Sequence, residues 1–128
     1  MDSPRSPPRS DDRAQPIHRV KAEFFRALGH PVRVRILELL RDGERSVSDL
    51  QGALGLDSSS TSQHLGALRR QGLLDSRREG TSVFYRASDP RVFQLLEVAR
   101  QILTGRFEAA QALLVELTDA PTRSGQAQ

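Results

Sequence analysis

At Gly72 the hydrophobic period of this chain changes, and no other feature restricts its fold as much. Upstream, apolar residues recur three and four apart, which is the spacing of one helix face. Downstream, Leu73-Leu74-Asp75-Ser76-Arg77-Arg78 and Ser82-Val83-Phe84-Tyr85-Arg86 read as strands flanking Glu79-Gly80-Thr81, a Gly-bearing turn. A β-hairpin over roughly 73–87 is predicted.

Four helical segments precede it. Ile17, Val20, Phe24 and Leu28 share one face, with Phe25 beside them, and Gly29-His30-Pro31 stops the run. Pro31 opens a second helix, where its missing N–H had no partner to lose. Val32, Ile36, Leu37 and Leu40 form the inner face of that helix, and Asp42-Gly43 ends it. Ser46 begins a third, short helix with Asp49 at capping-box spacing, and Val47, Leu50 and Leu54 line its buried side. Gly55 stops it; Leu56-Asp57 leads into a fourth, over about 58–71, with Asp57 or Ser58 as N-cap and Gly72 as terminator. Two helices separated by a short Gly-containing turn form a helix-turn-helix.

After the hairpin, Asp89 and Pro90 start a last helical stretch. Its stripe of Val92, Leu96, Ala99, Leu103, Phe107, Ala110, Leu114 and Leu117 crosses Gly105 in phase, which leaves open one long helix or two. The expected fold is mostly α with a small β-hairpin, a winged helix-turn-helix. Residues 1–15, rich in Pro, Ser, Arg and Asp, are expected as a disordered arm and 121–128 as a disordered tail. The domain is expected over 16–104, and residues 105–120 as an extension of its last helix.

Several classes of function are disfavoured by what is missing. Cysteine is absent, which removes disulfides, thiolate ligands and thiol nucleophiles together. No apolar run of about 18 residues exists, and Met1 to Pro8 has no apolar core of a secretory signal, so a cytoplasmic protein without a membrane span is expected. A Gly-rich phosphate loop, a His-Glu-x-x-His pair and a nucleophile elbow are all lacking, so no enzyme and no catalytic residue is expected.

The fourth helix carries the chemistry. Thr61, Leu65 and Leu68 fall on one face; Ser59, Ser62, Gln63, Gly66 and Arg70 fall on the other. Small hydroxyls and an amide on the outer face donate and accept at base edges, and small residues permit close approach in a major groove. Arg77, Arg78 and Thr81 lie at or near the hairpin tip, where cations and hydroxyls suit the backbone or the adjacent minor groove. Double-stranded DNA is the expected partner.

These residues resemble the ArsR/SmtB family of winged-helix repressors. The likeness lies in Phe25-Arg26-Ala27-Leu28-Gly29-His30-Pro31-Val32-Arg33-Val34-Arg35-Ile36-Leu37, in Ser62-Gln63-His64-Leu65 through Gly72-Leu73-Leu74, and in Arg77-Arg78-Glu79-Gly80-Thr81-Ser82-Val83-Phe84-Tyr85-Arg86. The resemblance implies a homodimer on an imperfect palindromic operator that represses transcription. It implies base reading by Ser59, Ser62 and Gln63, and phosphate contact by Ser60 and His64. It also implies a dimer interface built from the first and last helices, here Val20, Phe24 and Leu28 with Leu96, Ala99, Leu103 and Phe107.

One departure from the family matters. Its thiolate metal site needs Cys where this chain has Ser46-Val47-Ser48-Asp49, and its interfacial site needs Asp-x-His where this chain has Asp89-Pro90-Arg91. A guanidinium cannot ligate a cation, so no metal and no cofactor is expected. The release signal would then be a small organic molecule, a partner protein, or nothing beyond expression level. The alternatives are a metal-responsive repressor with a non-standard site, and a winged-helix adaptor that binds protein rather than specific DNA.

Overall fold

The computed structural model describes residues 16–126, with side chains described up to residue 118. The arm expected over 1–15 lies outside the described residues. The elements in order are α1 (Ile17–Leu28), α2 (Pro31–Leu39), β1 (Arg45–Ser46), α3 (Val47–Leu54), α4 (Ser58–Arg70), β2 (Leu74–Glu79), β3 (Ser82–Ala87) and α5 (Arg91–Gln126).

Local chemistry sets most of these boundaries. The His30 Nδ1 accepts from the N–H of Val32 at 3.1 Å and caps α2, with Pro31 at its first position. Ser46 Oγ accepts from the N–H of Asp49 at 3.0 Å and starts α3. Asp57, rather than Ser58, caps α4: its carboxylate accepts from the N–H of Ser60 at 3.4 Å. Gly55 ends α3 at φ 66°, a left-handed conformation that costs a Cβ-bearing residue dearly and glycine little.

The core lies among α2, α3, α4 and the sheet. Ile36, Leu37, Leu50 and Leu68 are fully buried, Leu65 and Leu74 nearly so. Each such side chain contributes about 1.5–3 kcal/mol over its exposed state. Thr61 is the buried polar residue of this core, and its hydroxyl donates to the Asp57 carbonyl at 2.8 Å, so the burial leaves nothing unsatisfied.

The predicted hairpin is present with a two-residue turn, Gly80 at φ 62° and Thr81, shorter than the three residues expected. A third strand was not foreseen. β1 pairs antiparallel with β3, Arg45 opposite Tyr85 and Ser46 opposite Phe84, giving the sheet order β1-β3-β2. Two residues carry no readable alternation, so nothing local distinguishes this strand from a loop.

The chain divides at Asp89–Pro90 into two compact units, the second of which is α5 alone. α5 is continuous through Gly105. One glycine costs a helix interior only about 1 kcal/mol, too little to end a ladder in phase on both sides. The helix also passes Pro121 and reaches Gln126, where a tail was expected. A proline withdraws one N–H from the ladder, but the residues after it still have carbonyls four positions back.

Candidate nucleic-acid interface

The fourth helix is amphipathic in the sense the sequence requires. Thr61, Leu65 and Leu68 are buried, while Ser59, Ser62, Gln63 and Arg70 are exposed; Ser60 and His64 are half-buried at the margins. Asp57 anchors the N-terminal end of this face. Hydrogen bonds from Ser60 hold its carboxyl below the usual carboxylate range, so it stays ionised as a cap.

Gly66 has a specific use on the outer face. A Cβ placed there would lie 3.2 Å from Arg70 Nη1. The missing side chain lets the Arg70 guanidinium lie back along the helix, against Gly66 one turn before it. Arg70 thus adds positive charge to the face that carries the amide and hydroxyls.

His64 is engaged from within the protein. Its Nδ1 accepts from Arg33 Nε on α2 at 3.2 Å, and its ring lies 4.3 Å from that of His30. The His30 and His64 Nδ1 atoms both accept hydrogen bonds, so the neutral forms carry their protons on Nε2. Burial lowers the His64 pKa from its ordinary value, and the charges of His30 and Arg33 add to the effect. The lowered pKa favours the neutral His64 ring, with its proton on Nε2.

The hairpin separates two arginines that the sequence reading grouped. Arg78 stands opposite Val83 and shares its face with Ser76 and Tyr85; Arg77 stands opposite Phe84, on the other face. The Arg77 guanidinium forks onto the Glu44 carboxylate, with Nε to the two oxygens at 3.0 and 2.9 Å, and reaches Glu79 at 2.8 Å. It also lies 4.5 Å above the centre of the Phe84 ring. Two carboxylates offset its charge, so Arg77 braces the hairpin against the α2–β1 connection, while Arg78 lies on the opposite face together with Arg45, which stands opposite Tyr85. Arg78 and Thr81 are both exposed.

The residues expected at a dimer interface fall into two sets. Leu28 is buried within its own chain. Val20, Leu103 and Phe107 are exposed at 43%, 58% and 64%, Ala99 is exposed, and Phe24 and Leu96 are half-buried. Among the described residues, no group of three or more His, Asp or Glu is placed to hold a metal ion. Nor is any helix among them long and apolar enough to cross a membrane.

Comparison with known proteins agrees with this geometry. The family model described as "Bacterial regulatory protein, arsR family" matches residues 30–76, from the α2 cap through the first half of β2. An uncharacterized HTH-type transcriptional regulator of Mycobacterium tuberculosis, Rv0081, is 44% identical over 105 residues, covering 81% of this chain and 92% of that protein. Its crystal structure superposes with a TM-score of 0.69 over 75% of this chain and 97% of that one. The homodimeric winged helix-turn-helix DNA-binding domain Mb0332 of Mycobacterium bovis, at 33% identity, gives 0.68 over 79% and 93%. The transcriptional repressor BigR of Xylella fastidiosa, also 33% identical, gives 0.61 over 66% and 87%. With a capped recognition helix, a basic three-stranded wing and these likenesses, the chain belongs to the ArsR family of winged helix-turn-helix DNA-binding transcriptional regulators.

Proposed function

We propose that two copies of this chain bind an imperfect palindromic operator and repress transcription by occupying it, in the cytoplasm. The carrying observation is the division of α4, with Thr61, Leu65 and Leu68 inside and Ser59, Ser62 and Gln63 outside. Each α4 enters a major groove, and each wing follows the backbone toward the minor groove. Gln63 reads adenine through its amide, Ser59 and Ser62 read neighbouring bases, and Ser60, His64, Arg70, Arg78 and Thr81 fix the register on phosphates. Arg77 acts indirectly, by holding the wing.

Dimerisation follows from α5. A single helix has no core of its own, yet this one exposes Leu103, Phe107, Leu114 and Leu117 at 58–64%. Together with Val20 on α1, these residues are surface that a monomer gains nothing by leaving in water. The likeness to a domain described as homodimeric, and to a protein named a repressor, supports both halves of the proposal. With no Cys in the chain and no clustered set of metal ligands among the described residues, release is assigned to a small organic molecule, a partner protein, or nothing beyond expression level.

Selection of bound sites from random duplexes tests this reading, followed by sedimentation of the complex. Two chains on one palindrome, with affinity falling steeply as salt rises, is the expected result. Weak binding without sequence preference would favour the adaptor alternative. A tenfold change in affinity on adding or chelating zinc or nickel would favour the metal-responsive one. A promoter reporter then gives the sign of regulation, which matters because the Vibrio cholerae protein HlyU, 39% identical over 79 residues, is named a transcriptional activator.

A further inference from the structure

Arg33, in the first turn of α2, is held in place by a neutral partner. Its Nε donates to Nδ1 of His64 on α4 at 3.2 Å, and no carboxylate among the described residues pairs with it. Arg35, Arg77, Arg86 and Arg100, by contrast, each reach a carboxylate. Arg33 is half-buried, yet its Nη1 and Nη2 have no hydrogen-bond partner among the described residues. Since no unpartnered side-chain nitrogen of a half-buried residue is shut off from solvent among them, both nitrogens reach water. The first turn of α2 also has no acidic residue, and a cation at a helix start opposes the dipole. An anion from outside the chain would answer both.

Position decides which anion. Ser62 and His64 are two residues apart on α4, so their side chains point about 160° apart around the helix axis. Ser62 faces the wing, lining one groove with Thr81 and Val83, whereas His64 faces α2. A helix lying in a major groove has a ridge of phosphates on each side, and the wing serves the ridge on the Ser62 side. We infer that Arg33 serves the other ridge, its Nη1–H and Nη2–H donating to one phosphate, and that His64 is the positioning residue that fixes the guanidinium through Nε. The inference rests on the DNA-binding reading above. It brings α2 into an interface otherwise assigned to α4 and the wing. A planar fork held at one nitrogen presents the other two in a fixed direction, which suits the paired oxygens of a phosphate.

The test uses the full-length chain on its selected operator and on a scrambled duplex, each over a salt series, with a thermal melt to confirm folding. Arg33→Gln keeps a donor and loses the charge; Arg33→Lys keeps the charge. Losing one phosphate-bound cation lowers the slope of log K against log salt by about 0.9, whereas an arginine that only braces His64 leaves the slope alone. The expected outcome for Arg33→Gln is that fall on both duplexes, with a loss of about tenfold in affinity. Arg33→Lys should keep the slope. Positioning is read from a double-mutant cycle: in a His64→Leu background, Arg33→Gln should cost less affinity than in the wild type, because the guanidinium is no longer fixed. Equal costs in the two backgrounds overturn the positioning role. The two Arg33 variants carry the test alone if His64→Leu does not fold. A folded Arg33→Gln variant with the wild-type slope overturns the inference, as does a loss confined to the operator, which would make Arg33 a base reader. A wild-type chain that binds neither duplex overturns the DNA-binding reading, and this inference with it.

Discussion

Arg77 and Arg78 are adjacent in the chain and lie on opposite faces of the wing, one clamped by Glu44 and Glu79, the other on the side of Val83 and Tyr85. Their substitutions should therefore separate two properties. Arg78→Ala is expected to weaken binding to every duplex and to lower the salt slope by about 0.9. Arg77→Ala should leave that slope nearly unchanged and lower the melting temperature. Equal slope losses in the two variants, read from filter binding or anisotropy, would mean that the Glu44 clamp opens on DNA.

In the proposed complex specificity falls to Gln63, which is exposed on α4 and has two donors and one acceptor on a rigid amide. Gln63→Ala should relax preference at one base position per half-site, costing about 1–3 kcal/mol there and little on scrambled DNA. Site selection repeated with the variant reads this directly. A uniform loss at all positions would reassign Gln63 to the backbone.

Gly66 sets stability against binding. Gly66→Ala should stabilise α4 by up to about 1 kcal/mol, since alanine is the better helix former and its methyl meets only the mobile end of Arg70. The same methyl pushes the Arg70 guanidinium off the helix face, so affinity should fall as stability rises. Denaturant melts and binding isotherms on one preparation check both signs.

The His64 site makes stability depend on pH. Its pKa is lowered from 6.5 in the folded chain, chiefly by burial and then by His30 and Arg33. Below that value the unfolded chain takes up a proton that the folded chain resists. This contribution is therefore complete above pH 6.5 and is lost as pH falls through the lower folded value. His64→Asn presents an oxygen to Arg33 and cannot titrate, so its urea midpoint should change less than the wild type's on acidification from neutrality. Parallel curves for the two proteins would show that His64 is not the group responsible.

Much of the fold could be read along the chain because the responsible interactions are local. Ser46 and Asp57 announce helix starts three residues before the N–H groups they accept from, and Thr61, Leu65 and Leu68 share a face through the helical repeat alone. The choice between one last helix and two could not be read, because a glycine in phase with its stripe suits either, and the structure gives one. For the interface, the outer face of α4 was readable for the same reason of period.

The wing's chemistry was not legible in this way. Strand alternation placed Arg77 and Arg78 on different faces from the outset, but no rule along the chain says which of them has a carboxylate partner. That was decided by Glu44, which lies 33 residues from Arg77, and by β1, which pairs across almost forty residues of chain. Arg33 and His64 likewise meet over 31 residues. Sequence alone determined where the helices begin and which side of α4 faces outward, because each depends on neighbours within four positions. Only the tertiary structure decided which arginine is spent on a carboxylate and which histidine accepts from Arg33, because those pairings form only once distant segments have packed together.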